Sequence, residues 1–306
     1  MMACWIANRI IQAFVVLLIV ISAAFFLVRL APGSPFARER ALDAKVEARL
    51  MEKYNLNGTL SEQFFRYWKN LLRGDLGESI QYTNRTVAEI LAQTLPQSLT
   101  LGGFALLLTL ATGIFLGSYA AVRHDTLQDR LAMLLALLGI CLPTFVIAPL
   151  LIILFALKIS LFPVGGWGSP AHYILPVICL AAPCAASCAR LMRGSMLEVL
   201  NQDYIRTARA KGVPERAVVF LHALKVAILP VVSYSGPLAA RILTGSLVVE
   251  EIFKIPGLGP FFVNSVLQRD VFVVGGTVIV YCALLIFFNA LVDVLYTFLD
   301  KRVKLA

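Results

Sequence analysis

Residues 98–122 read SLTLGGFALLLTLATGIFLGSYAAV, 25 positions without a single charged side chain. At a rise of 1.5 Å per residue such a stretch crosses the roughly 30 Å hydrocarbon core of a bilayer, which needs about 20 apolar residues. The rest of the chain repeats this signature. Runs at Ile10–Val28, Leu131–Leu157, about Tyr173–Met192, Val226–Val249 and Val271–Val292 are also long enough with modest tilt, so six transmembrane helices are expected. With 59% apolar and 15% charged residues among 306, there is too little polar surface to cover a soluble globule. The predicted fold is an all-α membrane protein.

The first run follows one charge, Arg9, and resembles a signal peptide in position. It exceeds the usual apolar core of about 7 to 15 residues and has no A-x-A pattern before Arg29, which favours an uncleaved helix. Of the cysteines Cys4, Cys141, Cys179, Cys184, Cys188 and Cys282, five lie in apolar stretches. With no CxxC pair and His172 outside their segment, they read as packing residues, with neither disulfide nor metal site.

Lysine and arginine near span ends are retained on the cytoplasmic side. Arg123, Arg130, Arg190, Arg193, Arg206, Arg209, Lys211, Arg216, Lys225 and the tail residues Lys301, Arg302 and Lys304 share one side with Arg9. The opposite short loop, 158–172, holds one lysine and a turn-rich run that includes Trp167. Both termini are therefore expected in the cytoplasm, and the net charge of +9 reflects membrane orientation, with no basic patch interleaved with aromatics for nucleic acid.

Three segments follow: a first transmembrane helix (1–30), an extracytoplasmic helical insertion (31–96) and a core of five transmembrane helices (97–300) with a cytoplasmic connection at 201–230. In the insertion, Phe64, Phe65, Tyr67, Trp68, Leu71 and Leu72 fall at helical spacing, Ser61 with Glu62 suits a helix start, and Gly74-Asp75-Leu76-Gly77 breaks it. Pro143, Pro149, Pro176, Pro183, Pro230 and Pro237 lie in or at the ends of spans, as suits a gated channel and as is ordinary in membrane helices. Gly113 and Gly117 allow close helix packing.

The most informative connection runs Glu198-Val199-Leu200-Asn201-Gln202-Asp203-Tyr204-Ile205-Arg206-Thr207-Ala208-Arg209-Ala210-Lys211-Gly212-Val213-Pro214-Glu215-Arg216. It reads as two helices with a tight joint. Asn201 or Asp203 starts the first, Gly212 stops it in the left-handed region, and Pro214 with Glu215 opens the next. Tyr204, Ala208 and Lys211 share one side, Ile205 adds apolar surface, Arg206 and Arg209 flank it, and Ala208 and Gly212 admit close approach by another protein. The plain alternative is a basic loop touching lipid headgroups.

This segment resembles the cytoplasmic loop of the permeases of ATP-binding-cassette importers, with Arg206-Thr207-Ala208, Gly212 and a later Ile228-Leu229-Pro230 as counterparts. The string Asp203 to Gly212, with Ala31-Pro32-Gly33-Ser34-Pro35, Tyr54-Asn55-Leu56-Asn57, Gly74-Asp75-Leu76-Gly77, Val249-Glu250-Glu251-Ile252-Phe253 and Pro256-Gly257-Leu258-Gly259, is similar to the branch importing oligopeptides, dipeptides and nickel, nearest the B-type oligopeptide permeases. The resemblance covers nearly the whole chain. It implies a type I importer permease fold in a bacterial inner membrane, half of a pore completed by a C-type permease. It further implies two ATP-binding subunits holding ATP and magnesium, and an extracytoplasmic peptide-binding protein. Asp203, Tyr204, Arg206, Thr207, Ala208, Arg209, Lys211 and Gly212 would then form a helix seated on an ATPase subunit. Arg206 stands where the general importer pattern has an acidic residue, so no charge contact is carried over at that position.

The chain itself contains no Gly-Lys pair and so no G-x-x-x-x-G-K-[ST] nucleotide loop. No cofactor is expected in this chain, and it is not expected to be an enzyme. An intramembrane protease would need a nucleophile with a base at depth, and His124, His172 and His222 all fall outside the apolar runs. A proton-coupled transporter usually carries ionisable groups inside its spans. Here Asp293, Glu250 and Glu251 are near span ends, and Arg241 alone falls near mid-membrane. Arg241, Ser233, Ser235 and Thr244 are the pore candidates, and Trp167, Pro256, Gly257 and Gly259 the outer-gate or binding-protein docking candidates. A nickel or glutathione importer of the same branch remains the alternative to a peptide importer.

Overall fold

The computed structural model describes the backbone of residues 2–30 and 44–299, and among these it is helical with one isolated antiparallel bridge, Glu78–Thr86. The helices are α1 (Met2–Leu30), α2 (Ala44–Lys53), α3 (Leu60–Leu71), α4 (Val87–Val122), α5 (Leu127–Cys141), α6 (Thr144–Leu151), α7 (Ala171–Leu200), α8 (Asp203–Ala210), α9 (Glu215–Ala217), α10 (Leu224–Ala227), α11 (Leu229–Ile252), α12 (Leu258–Gln268) and α13 (Val271–Leu299). A π-helical turn, Ile152–Lys158, prolongs α6, and another, Val218–Ala223, joins α9 to α10.

Among the described residues, four helices are long and apolar enough to cross a membrane, α1, α4, α7 and α13. Two bent pairs would raise the number to six if each counts as one span. The third apolar run is not one straight helix as expected from sequence: α5 and α6 meet at 107°. Pro143 supplies no N–H and drives Leu142 out of the helical region, to φ −88° and ψ 120°. Apolar composition continues through the bend, so the run looks continuous from sequence.

Helix starts follow side-chain capping. Thr86 and Glu89 close a reciprocal capping box at α4, with hydrogen bonds of 3.1 and 3.2 Å. Thr59 and Glu62 do the same at α3, so the start lies at Thr59 and not at Ser61. Because α4 begins at Val87 and continues through Pro96, the 96/97 boundary read from sequence falls inside a helix.

In the insertion, α3 lays Phe64 and Tyr67 on the end of α1. The Phe25–Phe64 and Phe26–Phe64 ring centroids are 5.3 and 5.2 Å apart, and Arg29 Nε donates to Gln63 Oε1 at 3.0 Å. Phe65 and Leu72, expected on the same apolar face, are more than 70% exposed instead.

Among the described residues the core runs in three patches along the bundle, with α7 at its centre. One gathers Val87, Ile90, Leu91, Leu258 and Val273. A middle patch includes Leu101, Leu175, Leu238 and Phe253, and the third includes Met192, Met196, Ile205 and Val218. Helices α4 and α7 approach closely over Gly113 and Gly117. A Cβ on Gly117 would lie 2.4 Å from the Ala189 carbonyl oxygen, and one on Gly113 would lie 2.6 Å from Cys188 Cβ.

Candidate functional site

The connection between α7 and α11 folds as a tight elbow. Gly212 sits at φ +78°, a region that costs other residues a clash with their own Cβ. Its N–H donates to the Arg209 carbonyl at 2.9 Å and the Val213 N–H to the Ala208 carbonyl at 3.2 Å, the Schellman pairing that closes α8. Pro214 then takes the N-cap position of α9 with Glu215 as its first residue. The N-cap of α8 is Gln202, which makes no side-chain capping bond, in place of the Asn201 or Asp203 expected from sequence.

Ile205 is fully buried, in the patch shared with Met192, Met196, Val218 and Val219. It anchors the elbow inward and adds nothing to the outer surface, contrary to the sequence reading. Ala208 is half-buried against the same patch, while Tyr204, Arg206, Thr207, Lys211 and Gly212 are exposed. The Thr207 hydroxyl donates to the Asp203 carbonyl at 2.9 Å, and Arg206 lies 3.6 Å from Asp203. Arg209 grips Glu215 with two bonds, 3.1 and 2.7 Å, across the joint. That contact raises the Arg209 pKa and holds the Glu215 carboxyl below the usual carboxylate range. Both partners are substantially exposed, so the pair contributes on the order of 0.2–1 kcal/mol at most. Phe220 and Leu221, on the following π-helical turn, are 65% and 69% exposed. They extend the elbow's outer face and escaped the sequence reading because the run Val218–Ala223 looks like the start of a buried helix.

Just beneath, Arg193 of α7 forms a bidentate pair with Asp129 of α5, both bonds 2.6 Å, and the Asp125 N–H adds a third at 3.1 Å. Asp129 is buried. His124, Asp125 and Asp129 cluster closely enough for a metal ion, but both Asp129 oxygens are already engaged by the guanidinium. From sequence Arg193 was only one of many basic residues, since nothing local names a partner 64 positions away.

The pore candidates lie on α11. The Ser233 and Ser235 hydroxyls donate to carbonyls of their own helix, Leu229 and Val232, at 3.2 and 2.6 Å. The side chain of Thr244 lies outside the described residues. Arg241, at the middle of α11, lines a cavity of about 300 Å³ with Cys141, Leu142, Pro143 and Thr144 of the α5–α6 bend and Pro183 and Cys184 of α7.

At the far end of α11, Glu250 is fully buried and accepts the Gly259 N–H at 2.7 Å, while Ser98 of α4 accepts the Leu258 N–H at 2.8 Å. Together they cap α12. Gly257 and Gly259 are buried, and a Cβ on either would meet the Glu250 carboxylate, at 2.3 and 2.9 Å. Of the four outer candidates, Pro256 is exposed and Trp167 half-buried, 4.3 Å from the Tyr173 ring. Asp270, also fully buried, accepts from the Ser79 hydroxyl, from the N–H groups of Ile80 and Gln81 at 3.0 and 3.2 Å, and from Val273 N–H at 3.3 Å. This pins the loop before α4 to the start of α13. The motif Ala31–Pro35 and the basic tail at 301–304 lie outside the described residues.

A bundle of helices long and apolar enough to cross a membrane, with a polar elbow on one connection, defines a polytopic membrane protein. The chain belongs to the family of binding-protein-dependent transport system inner membrane components, whose pattern matches residues 113–305, the elbow included. Its similarity extends beyond that region. It is 45% identical over 302 residues to the oligopeptide transport system permease protein OppB of Salmonella typhimurium, covering 98% of this chain and 99% of the relative. The corresponding protein of Escherichia coli strain K12 is 44% identical over the same length and shares. The dipeptide transport system permease protein DppB of Bacillus subtilis is 43% identical over 289 residues, 94% of each chain.

Proposed function

We propose that this chain is the B-type permease subunit of an ATP-driven peptide importer, forming half of a channel completed by a second, C-type permease. The observation that carries the reading is the elbow: α8 is socketed into the core by Ile205 while Tyr204, Thr207 and Lys211 face outward. One of the two ATPase subunits on the cytoplasmic side receives this face, and the four groups of the Arg209–Glu215 and Arg206–Asp203 pairs edge the contact. ATP bound by those partners draws them together. The elbows follow, and the bundle rocks between inward and outward access. A peptide-binding protein delivers cargo at the opposite face, near Trp167 and Pro256.

In this arrangement each bent pair is one span, giving six spans with both termini in the cytoplasm and the insertion after the first helix, α2 and α3 included, on the extracytoplasmic side. The 42–45% identity to oligopeptide permeases over nearly full length supports the peptide assignment. The test is a reconstituted complex carrying Tyr204→Cys or Lys211→Cys, with thiol crosslinking to the ATPase subunit and peptide-stimulated ATP hydrolysis measured together. Crosslinks that form at both positions and whose yield changes with ATP are expected. Crosslinking of these positions from the extracytoplasmic side, or ATP hydrolysis stimulated by nickel complexes and not by peptides, would refute the reading.

A further inference from the structure

The hollow at the α5–α6 bend joins two features. Its walls are largely apolar, from Ile140, Leu142, Leu180 and Pro183, yet Arg241 enters it at the middle of α11. A guanidinium facing hydrocarbon is strongly penalised, so this face of α11 turns to a polar passage or a partner. The bend adds a second feature. Pro143 caps α6 without any side-chain bond; the Val146 and Ile147 N–H groups turn back to the Pro143 carbonyl at 2.9 and 3.1 Å, so Thr144, which lines the hollow with the arginine, and Phe145 carry the leading backbone donors of the helix. Broken helices whose N-termini point at anionic substrate groups near mid-membrane are a recurring transporter device. About 300 Å³ is at the lower limit of small-molecule sites: room for one end of a peptide and not for a whole one.

We infer that this hollow is a carboxylate subsite on the translocation path, in which Arg241 holds the C-terminal carboxylate of the passing peptide. The inference rests on the peptide-importer reading. The planar guanidinium matches a carboxylate bidentately, and the apolar walls strengthen the contact while it lasts. Arg241 is substantially exposed in the chain, which leaves the subsite open enough to release what it takes. An acidic side chain in a peptide offers the same chemistry from a different source, and a carboxylate of the second permease is the competing occupant.

The experiment uses the full complex in liposomes with its binding protein. Uptake of tri-alanine, tri-alanine amide and an amidated tripeptide ending in glutamate is measured per occupied binding protein, with occupancy determined separately for each peptide. In the wild type the free acid should exceed the amide about tenfold, as a charged contact contributes. Arg241→Gln should bring that ratio close to one, whatever the absolute rate, and Arg241→Lys should keep part of it. Rescue by the glutamate side chain would widen the subsite to any carboxylate near the C-terminus, as the shared chemistry requires, and its absence would restrict it to the terminus itself. A wild-type ratio near one, a ratio unmoved by Arg241→Gln, or loss of the second permease from the Arg241→Gln complex would overturn the inference. Failure of the wild type to move any of the three peptides would sink the importer reading itself, and this subsite with it.

Discussion

Replacing Gly117 by alanine tests how closely α4 and α7 are fitted. In an open helix the change would help, since glycine is about 1 kcal/mol worse than alanine there. At this seam the new Cβ would sit 2.4 Å from the Ala189 carbonyl oxygen, 2.7 Å from Met192 Cβ and 3.1 Å from the Arg193 nitrogen. Two of those three atoms are backbone and cannot rotate away. Carbon normally approaches a carbonyl oxygen to about 3.3 Å, so the helices must part by about 1 Å. Gly113, one turn earlier against Cys188, would lose its contact in the same movement. Overpacking costs about 1–3 kcal/mol, and with backbone atoms blocking the new Cβ the upper part of that range applies, about 2–3 kcal/mol, which leaves a net loss of roughly 1–2 kcal/mol after the propensity gain. On the usual scale of about 2–4 °C per kcal/mol, the melting midpoint of the solubilised complex should fall by about 2–8 °C. Gly103→Ala is the control, because nothing lies within 4 Å of its Cβ and it should hold or slightly raise the midpoint. If Gly117→Ala melts as high as Gly103→Ala, the seam is not the tight contact described.

Two other substitutions probe the elbow and its support. Asp129→Asn should destabilise the solubilised protein by roughly 3 kcal/mol, because it leaves the largely buried Arg193 guanidinium without its counter-charge; the double change with Arg193→Gln should cost less than the single one, read by thermal unfolding. Gly212→Ala should cost about 1 kcal/mol through its left-handed backbone alone, since its Cβ meets no neighbour, and Gly212→Asn should cost visibly less; equal melting of all three proteins would show that the joint is not held at positive φ.

Much of this molecule can be read from local sequence because membrane spans and helix stops are local chemistry. The apolar runs locate the long helices, and Gly212 with Pro214 locates the joint of the elbow. Thr59 was legible too: Thr-x-x-Glu with Glu62 specifies the capping box, whereas Ser61 lies only one residue before that glutamate. What stayed hidden depends on partners far apart in the chain. Asp129 with Arg193, Asp270 with the Ser79–Gln81 backbone and Glu250 with Gly259 are each specified by packing. The inward turn of Ile205 follows from the patch beneath it, since an eight-residue helix shows too little periodicity to say which side is covered. The α5–α6 bend was signalled by Pro143, but proline inside a membrane helix is compatible with a mild kink as well as a right-angled turn.

The socket around Ile205 has a mechanical consequence. Its neighbours Met192 and Met196 belong to α7, the helix that also carries Arg193 and touches Gly113 and Gly117. A thrust on the outer side of α8 therefore finds no slack in the short connection to absorb it. It arrives as torque on the bundle's central strut, at the end of the bundle opposite the buried Glu250.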